Sequence, residues 1–339
     1  MRYLLAVMLV VAAACGGAGS NTGGGDTGSP VSGGGCGTKA NFVLANPGGL
    51  TCLDDKANAI GKIVKLPDQS APSTPAMHPS GQAFAFALTQ QPDPKRGFGS
   101  DIYMVNLDGT NLHAIVLHED NNVFYASPRF DSSGNVLYVH RRAAIIQNGS
   151  FVGNSDNIVR IDLRTGESKR IITDGADPTI SSDGKFIVYV HLKESQIDGI
   201  WRADIDGSNP APLLKTKDSW WYLQAPRFSP TDCQLAFSGA GHTVGEAAPG
   251  TFAAQYRASG GKTAHLNIPS EIFIVPCDGA TVKSIGQTGD DIVPAWSPDG
   301  AKIAYVGSGG FFVLDMKTGA IRTIANGQDF FFGDLVWLR

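Results

Sequence analysis

PAWSPDGAKIAYV (residues 294–306) followed by FFVLDMKTGAIRTI (311–324) is the stretch that decides the fold. The first half recurs as PAMHPSGQAFAFAL (75–88), PRFDSSGNVLYV (128–139), PTISSDGKFIVYV (178–190) and PRFSPTDCQLAFS (226–238). The second half recurs as IYMVNLDGTNLHAI (102–115), IVRIDLRTGESKRI (158–171), IWRADIDGSNPAPLL (200–214) and IFIVPCDGATVKSI (272–285). The two halves alternate strictly, so the repeat sets the architecture before any single motif does. Inside a unit, alternating apolar residues such as Ile303 and Tyr305 mark strands with one buried face. Asp108-Gly109, Thr165-Gly166, Asp206-Gly207, Asp278-Gly279 and Thr318-Gly319 separate the strands, and glycine accepts the positive φ of a tight hairpin turn. Two such hairpins make a four-stranded antiparallel sheet, one blade of a β-propeller.

Working outward, the two ends of the chain complete the pattern. GDLVWLR (333–339) aligns with the start of the first half-unit, Trp337 standing where Trp296 stands, and IGKIVKL (60–66) aligns with the last strand, GAIRTI (319–324). The expected fold is therefore all-β: a six-bladed propeller of four-stranded antiparallel blades, its N- and C-terminal strands sharing one composite blade that leaves no open edge. These repeats resemble those of the TolB-type propeller family, whose unit reads P-x-[WF]-S-P-D-G-x-x-[IL]-A-[FY]. The likeness covers about residues 60–339. TolB carries an α/β domain ahead of its propeller; the sequence between residues 40 and 60 leaves no room for one here. The resemblance implies the fold, while function has to come from sites.

The N-terminus reads as an export signal, residues 1–14: Arg2, an apolar run from Leu4 to Val11, then Ala12-Ala13-Ala14 before Cys15. The run is too short to span a bilayer, which takes about 20 apolar residues. Small residues directly before a cysteine resemble the bacterial lipobox, which implies acylation of Cys15 and an anchor at the periplasmic face of the outer membrane or the cell surface. Within residues 15–40, Cys15 is followed by GGAGSNTGGGDTGSPVSGGG (16–35), a Gly/Ser-rich composition expected to act as a tether, and the propeller is assigned to 41–339. Setting Cys15 aside leaves four cysteines in an oxidising compartment. Cys36 and Cys52 flank the propeller entry. Cys233 starts the second strand of its blade and Cys277 ends the third, which antiparallel pairing sets side by side, so the expected disulfides are Cys36–Cys52 and Cys233–Cys277.

A net charge of −4 gives no attraction to nucleic acid or anionic lipid. No G-x-S-x-G elbow or H-E-x-x-H pair occurs, and the seven histidines show no ligand spacing, so no catalytic residue, metal or cofactor is assigned. GAGHTVG (239–245) lacks the βαβ setting a dinucleotide needs, and DIDGSN (204–209) lacks the distal glutamate of a calcium loop. His78, Asp131, Ser181, Ser229 and Ser297 share one position of the repeat, which points to hydrogen bonding within each blade.

Three aromatic clusters precede innermost strands: Phe124-Tyr125, Trp220-Trp221-Tyr222 and Phe330-Phe331-Phe332. They form a candidate binding face or wedge neighbouring blades together, with Trp220, Trp221 and Tyr222 the best surface candidates. Two insertions, Arg141 to Asn157 and Gly239 to Pro269, read as long loops on that same face. The expected role is a lipid-anchored, monomeric binding or scaffold module for an envelope protein or polysaccharide. The alternative is a periplasmic polysaccharide lyase or hydrolase with a site in the propeller channel.

Overall fold

A computed structural model describes residues 30–46, 49–67, 69–214, 220, 222–240, 270–287, 292–307, 309–327 and 334–338. Among them every regular element is a β-strand. The chain divides into two compact units, residues 1–173 with 333–339, and residues 174–332.

In the first unit, β1 (Val31–Ser32), β2 (Phe42–Asn46), β3 (Gly49–Leu53), β4 (Ala59–Lys65) and the C-terminal β25 (Asp334–Trp337) form one sheet in the order β1-β4-β3-β2-β25. Phe42 lies opposite Trp337 and Leu44 opposite Leu335, so the two extremities of the propeller sequence share a sheet. The expected inner and outer strands are β25 and β4. The two between them carry no repeat signature, and because β2 and β3 are buried along almost their whole length they show no polar alternation either. β1 falls inside the stretch read as tether. Cys36 is bonded to Cys52, fastening the segment before β2 onto β3.

The same unit contains an eight-stranded sheet made of two consecutive meanders. One is β5 (Ala71–Met77), β6 (Ala83–Thr89), β7 (Gly99–Asn106) and β8 (His113–Val116). The other is β9 (Val123–Phe130), β10 (Val136–Gln147), β11 (Ser150–Asp162) and β12 (Ser168–Thr173). They touch through a short parallel pairing, Gly99 with Val123 and Ser100 with Phe124. Residues 141–157 are not the expected loop: β10 and β11 run on as a paired hairpin to the turn Asn148-Gly149. Both turn residues have positive φ, 51° and 75°, the geometry in which Asn-Gly joins two strands with matching twist.

The second unit consists of three meanders, each one repeat. They are β13 (Gly175–Ile180), β14 (Phe186–Lys193), β15 (Gln196–Asp204), β16 (Ala211–Pro212); β17 (Tyr222–Phe228), β18 (Gln234–Ala240), β19 (Glu271–Pro276), β20 (Lys283–Gln287); and β21 (Ala295–Trp296), β22 (Lys302–Gly307), β23 (Gly310–Asp315), β24 (Ile321–Asn326). Cys233 and Cys277 lie one residue outside β18 and β19, their Cα atoms 5.4 Å apart, and are bonded as the strand pairing requires. Of the Gly239 to Pro269 insertion, Gly239 and Ala240 end β18 and residues 241–269 lie outside the described residues.

The second strand of each repeat is the buried one. Phe84 and Phe86, Leu137 and Val139, Ile187 and Tyr189, Leu235 and Phe237, Ile303 and Tyr305 are almost wholly removed from solvent, each large side chain contributing about 1.5–3 kcal/mol. The shared repeat position serves the turn between first and second strands. Ser181 Oγ accepts from the backbone N–H of Lys185 (3.2 Å) and Phe186 (3.1 Å), and Ser297 Oγ accepts from that of Lys302 (2.9 Å). Asp131 accepts from the Val136 N–H (3.1 Å), and Ser229 Oγ from that of Asp232 (3.2 Å). His78 completes the set: its Nδ1 accepts from the Ser80 N–H at 3.1 Å.

Successive meanders are stitched at the bulge of the first strand. Thr74, Ser127, Asp177 and Ala225 each precede a proline and hold φ between 49° and 51°, a conformation unfavourable for a β-branched residue such as Thr74. Within the first unit Asp334 accepts from the Thr74 N–H, and Thr74 Oγ1 accepts from the Ser127 N–H at 2.9 Å. Within the second, Asp177 accepts from the Ala225 N–H at 2.9 Å. The strained backbone thus aims each of these N–H groups at the preceding repeat's side chain.

Candidate functional site

Strand order decides which connections share an end of the sheets. In every meander the turns joining first to second and third to fourth strands lie at one end, the turn rim. The second-to-third connection and the exit to the next meander lie at the other, the variable rim. In the first unit the variable rim carries residues 90–98, residues 117–122 and the tip of the β10–β11 hairpin.

A chain of charged groups fastens these three pieces. Asp101, buried at the start of β7, accepts from the His118 backbone N–H at 2.7 Å, and its Oδ1 lies 2.6 Å from His118 Nδ1. Arg96 Nη1 donates to Asp101 at 3.1 Å and to the His118 carbonyl at 3.3 Å, while Nη2 donates to Asp93 at 3.1 Å. The backbone N–H groups of Lys95 and Arg96, with the Arg96 guanidinium, hold the Asp93 carboxyl down to about 2. Next along the chain, Glu119 accepts from Arg141 Nε at 2.8 Å and from the Tyr125 hydroxyl at 3.2 Å. Burial, reinforced by Glu119, pushes the Tyr125 phenol up to about 12.

The hairpin itself is fixed by Asp156. Its Oδ1 lies 2.7 Å from His140 Nε2 and accepts from Arg142 Nε at 2.6 Å, Arg142 being its cross-strand partner. Burial works to raise the Asp156 carboxyl; His140 and Arg142 outweigh it and the net shift is downward. A buried carboxylate held by a guanidinium and an imidazole is a brace: removing any member strands the others. Sequence reading did not single out this network, because its members lie up to 22 residues apart and none belongs to a motif. The Asn148-Gly149 pair was the one local signal for the hairpin.

The aromatic candidates divide. Phe124 is half-buried at the variable rim, edge-on to Phe98 with ring centres 5.4 Å apart. Tyr125 is buried. Trp220 is half-buried: its ring meets Phe237 and Phe273 edge-on at 5.5 and 4.9 Å and packs against the second unit's core. The reason is the room that Gly239 leaves beside it, where a Cβ would lie 2.7 Å from the Trp220 ring. Tyr222 is half-buried at the start of β17. Cys15, Trp221, Phe330, Phe331 and Phe332 lie outside the described residues. Among the described residues no group of three or more His, Cys, Asp or Glu side chains is placed to hold a metal ion.

No protein-family model matches the sequence, and no curated protein matches it. Solved structures do. TolB from Acinetobacter baumannii superposes with a TM-score of 0.61 at 16% identity, over 88% of this chain and 66% of that one, so the chain spans just under two thirds of that protein's length. A TolB from Agrobacterium tumefaciens gives 0.53 at 17% identity, over 80% of this chain and 87% of that one. An oligogalacturonate lyase from Vibrio parahaemolyticus gives 0.49 at 12% identity, over 88% and 86%, too loose a match to bear on chemistry. Identities this low speak for fold alone. The chain has the β-propeller fold of the TolB-like structures.

Proposed function

We propose that this chain is a lipid-anchored binding module of the bacterial cell envelope, a closed six-bladed propeller that acts as a monomer and holds an envelope protein or polymer without catalysis. The observation that carries the reading is the variable rim of the first unit. Its carboxylates, guanidiniums and imidazoles engage one another and brace loops, and what they brace is a hairpin of β10 and β11 projecting past its neighbours. That arrangement presents a fixed shape, the requirement of a contact surface. Two disulfides suit an oxidising compartment such as the envelope. Acylation at Cys15 would keep the propeller there.

The test is crosslinking of intact envelopes that carry the full chain, followed by identification of what is captured. One recurrent protein or polymer partner is expected. Turnover of an envelope polysaccharide by the purified chain, with new reducing or unsaturated ends appearing, would contradict the reading.

A further inference from the structure

We infer that the tip of the β10–β11 hairpin and Leu117, at the variable rim of the first unit, enter the lipid interface, leaving the braced base of the hairpin above it to meet the partner proposed above. The inference rests on acylation at Cys15, part of the function proposed above. Leu117, Ile145, Ile146 and Val152 are 52, 39, 52 and 46% exposed, and they account for four of the six large hydrophobic side chains exposed among the described residues. All four sit at this one end of the strands: Leu117 in the exit from β8, the others on the hairpin. β9 pairs with β10 only as far as Ala143, and β12 pairs with β11 only from Asn157, so the tip extends past the sheet that carries it. Scattered apolar residues on a surface need no explanation; four gathered on one rim do.

The occupant follows from where the N-terminal chain enters. β1 pairs Val31 with Lys65, and Lys65, opposite Gly49, is the end of β4 beside the β2–β3 turn. That is the second-to-third connection of its sheet, and β4 is followed after five residues by β5, whose Ala71 pairs with Thr89 at the end of β6. Strand polarity therefore brings the chain in at the variable rim, the one that bears the hairpin. Cys15 precedes Val31 by only 16 residues, which reach at most about 55 Å. The chain leaves from this rim, so a short tether to an acylated Cys15 favours the approach of this rim to the bilayer over the opposite one. With a net charge of −4 the contact is apolar in kind, as in interfacial segments that bury their apolar face at the headgroup boundary.

The test uses the full acylated chain in vesicles of phosphatidylethanolamine and phosphatidylglycerol. An environment-sensitive dye is placed singly through Ile146→Cys, Leu117→Cys or, at the turn rim, Thr165→Cys. Blue-shifted emission, quenched by a lipid-borne quencher, is expected at 146 and 117, with water-like emission at 165. In a second arm the full chain with Cys15→Ser is sedimented with the same vesicles. Weak binding is expected, surviving about 0.5 M salt, where the Debye length is only a few ångströms. The triple change Ile145→Ser, Ile146→Ser and Val152→Ser is expected to lower it roughly tenfold, with both disulfides and the thermal melt retained. A chain whose Cys15 carries no lipid overturns the anchoring and this inference together. An acylated, vesicle-bound chain with water-like emission at 146 overturns this inference alone. So does crosslinking of the tip to a protein in place of lipid.

Discussion

The two ends of the strands are built by different rules. At the turn rim the same chemistry repeats: a Ser, Asp or His caps the first turn of each repeat, and Asp-Gly or Thr-Gly closes the second. At the variable rim of the first unit the connections carry Arg–carboxylate pairs, Arg96–Asp101, Arg141–Glu119 and Arg142–Asp156, while in the second unit the β14–β15 hairpin carries His191–Asp198 where the first has His140–Asp156. The repeated end serves the fold and is interchangeable from one sheet to the next. The unrepeated end carries whatever distinguishes this protein.

The largest effect that would break this contrast belongs to the brace. Asp156→Ala leaves His140 and Arg142 facing one another without their carboxylate, and a loss of about 3 kcal/mol is expected by denaturant unfolding. A loss under about 1 kcal/mol would show that the hairpin stands without it. The Cys233–Cys277 bond belongs to the fold, and replacing both cysteines with alanine should cost about 2–4 kcal/mol without altering any contact of the hairpin tip.

Two glycines sharpen the comparison directly. Gly134, in a first turn, has φ of 74°, and a Cβ there would lie 2.1 Å from His78 Nε2 of the preceding meander. Gly149, at the hairpin tip, has φ of 75° and nothing within 4 Å. Both alanine variants strain a left-handed backbone by about 1 kcal/mol, but only Gly134→Ala adds a collision, so it should destabilise by at least about 1 kcal/mol more. Equal effects in thermal melts would remove the distinction between the ends.

The smallest effect is one of pH. The Asp156 carboxyl titrates below its ordinary value of 3.8, so its contribution to stability is fully present above that value and is lost as pH falls through the folded-state value. Hydrogen exchange at the base of the hairpin should quicken, relative to the core, as pH drops through that range, and Asp156→Asn should flatten the response. An unchanged profile in the variant would place the effect elsewhere.

What the sequence made legible follows the same division. Repeated chemistry announces itself, so the hairpins, the turn glycines, the Cys233–Cys277 neighbours and the strand at Trp337 were all readable from register. β2 and β3 were not, since Val43, Leu44, Leu50 and Cys52 are buried on both faces and strands of that kind lack alternation. The span RRAAIIQNGSFVGNSDN (141–157) looked like a loop for the opposite reason. It projects from the sheet, so burial imposes no pattern on it, and only Asn148-Gly149 marks its turn. The half-buried packing of Trp220 was not legible, because the room for its ring is made by Gly239, Phe237 and Phe273 farther along the chain.

The contrast between the ends is tested most directly by photocrosslinking in intact envelopes, with the probe at Ile146 on the hairpin tip or at Thr165 in the β11–β12 turn. Adducts are predicted at 146, to lipid, with none at 165. Adducts confined to 165, or equal at both positions, would contradict the assignment of contact to the unrepeated end.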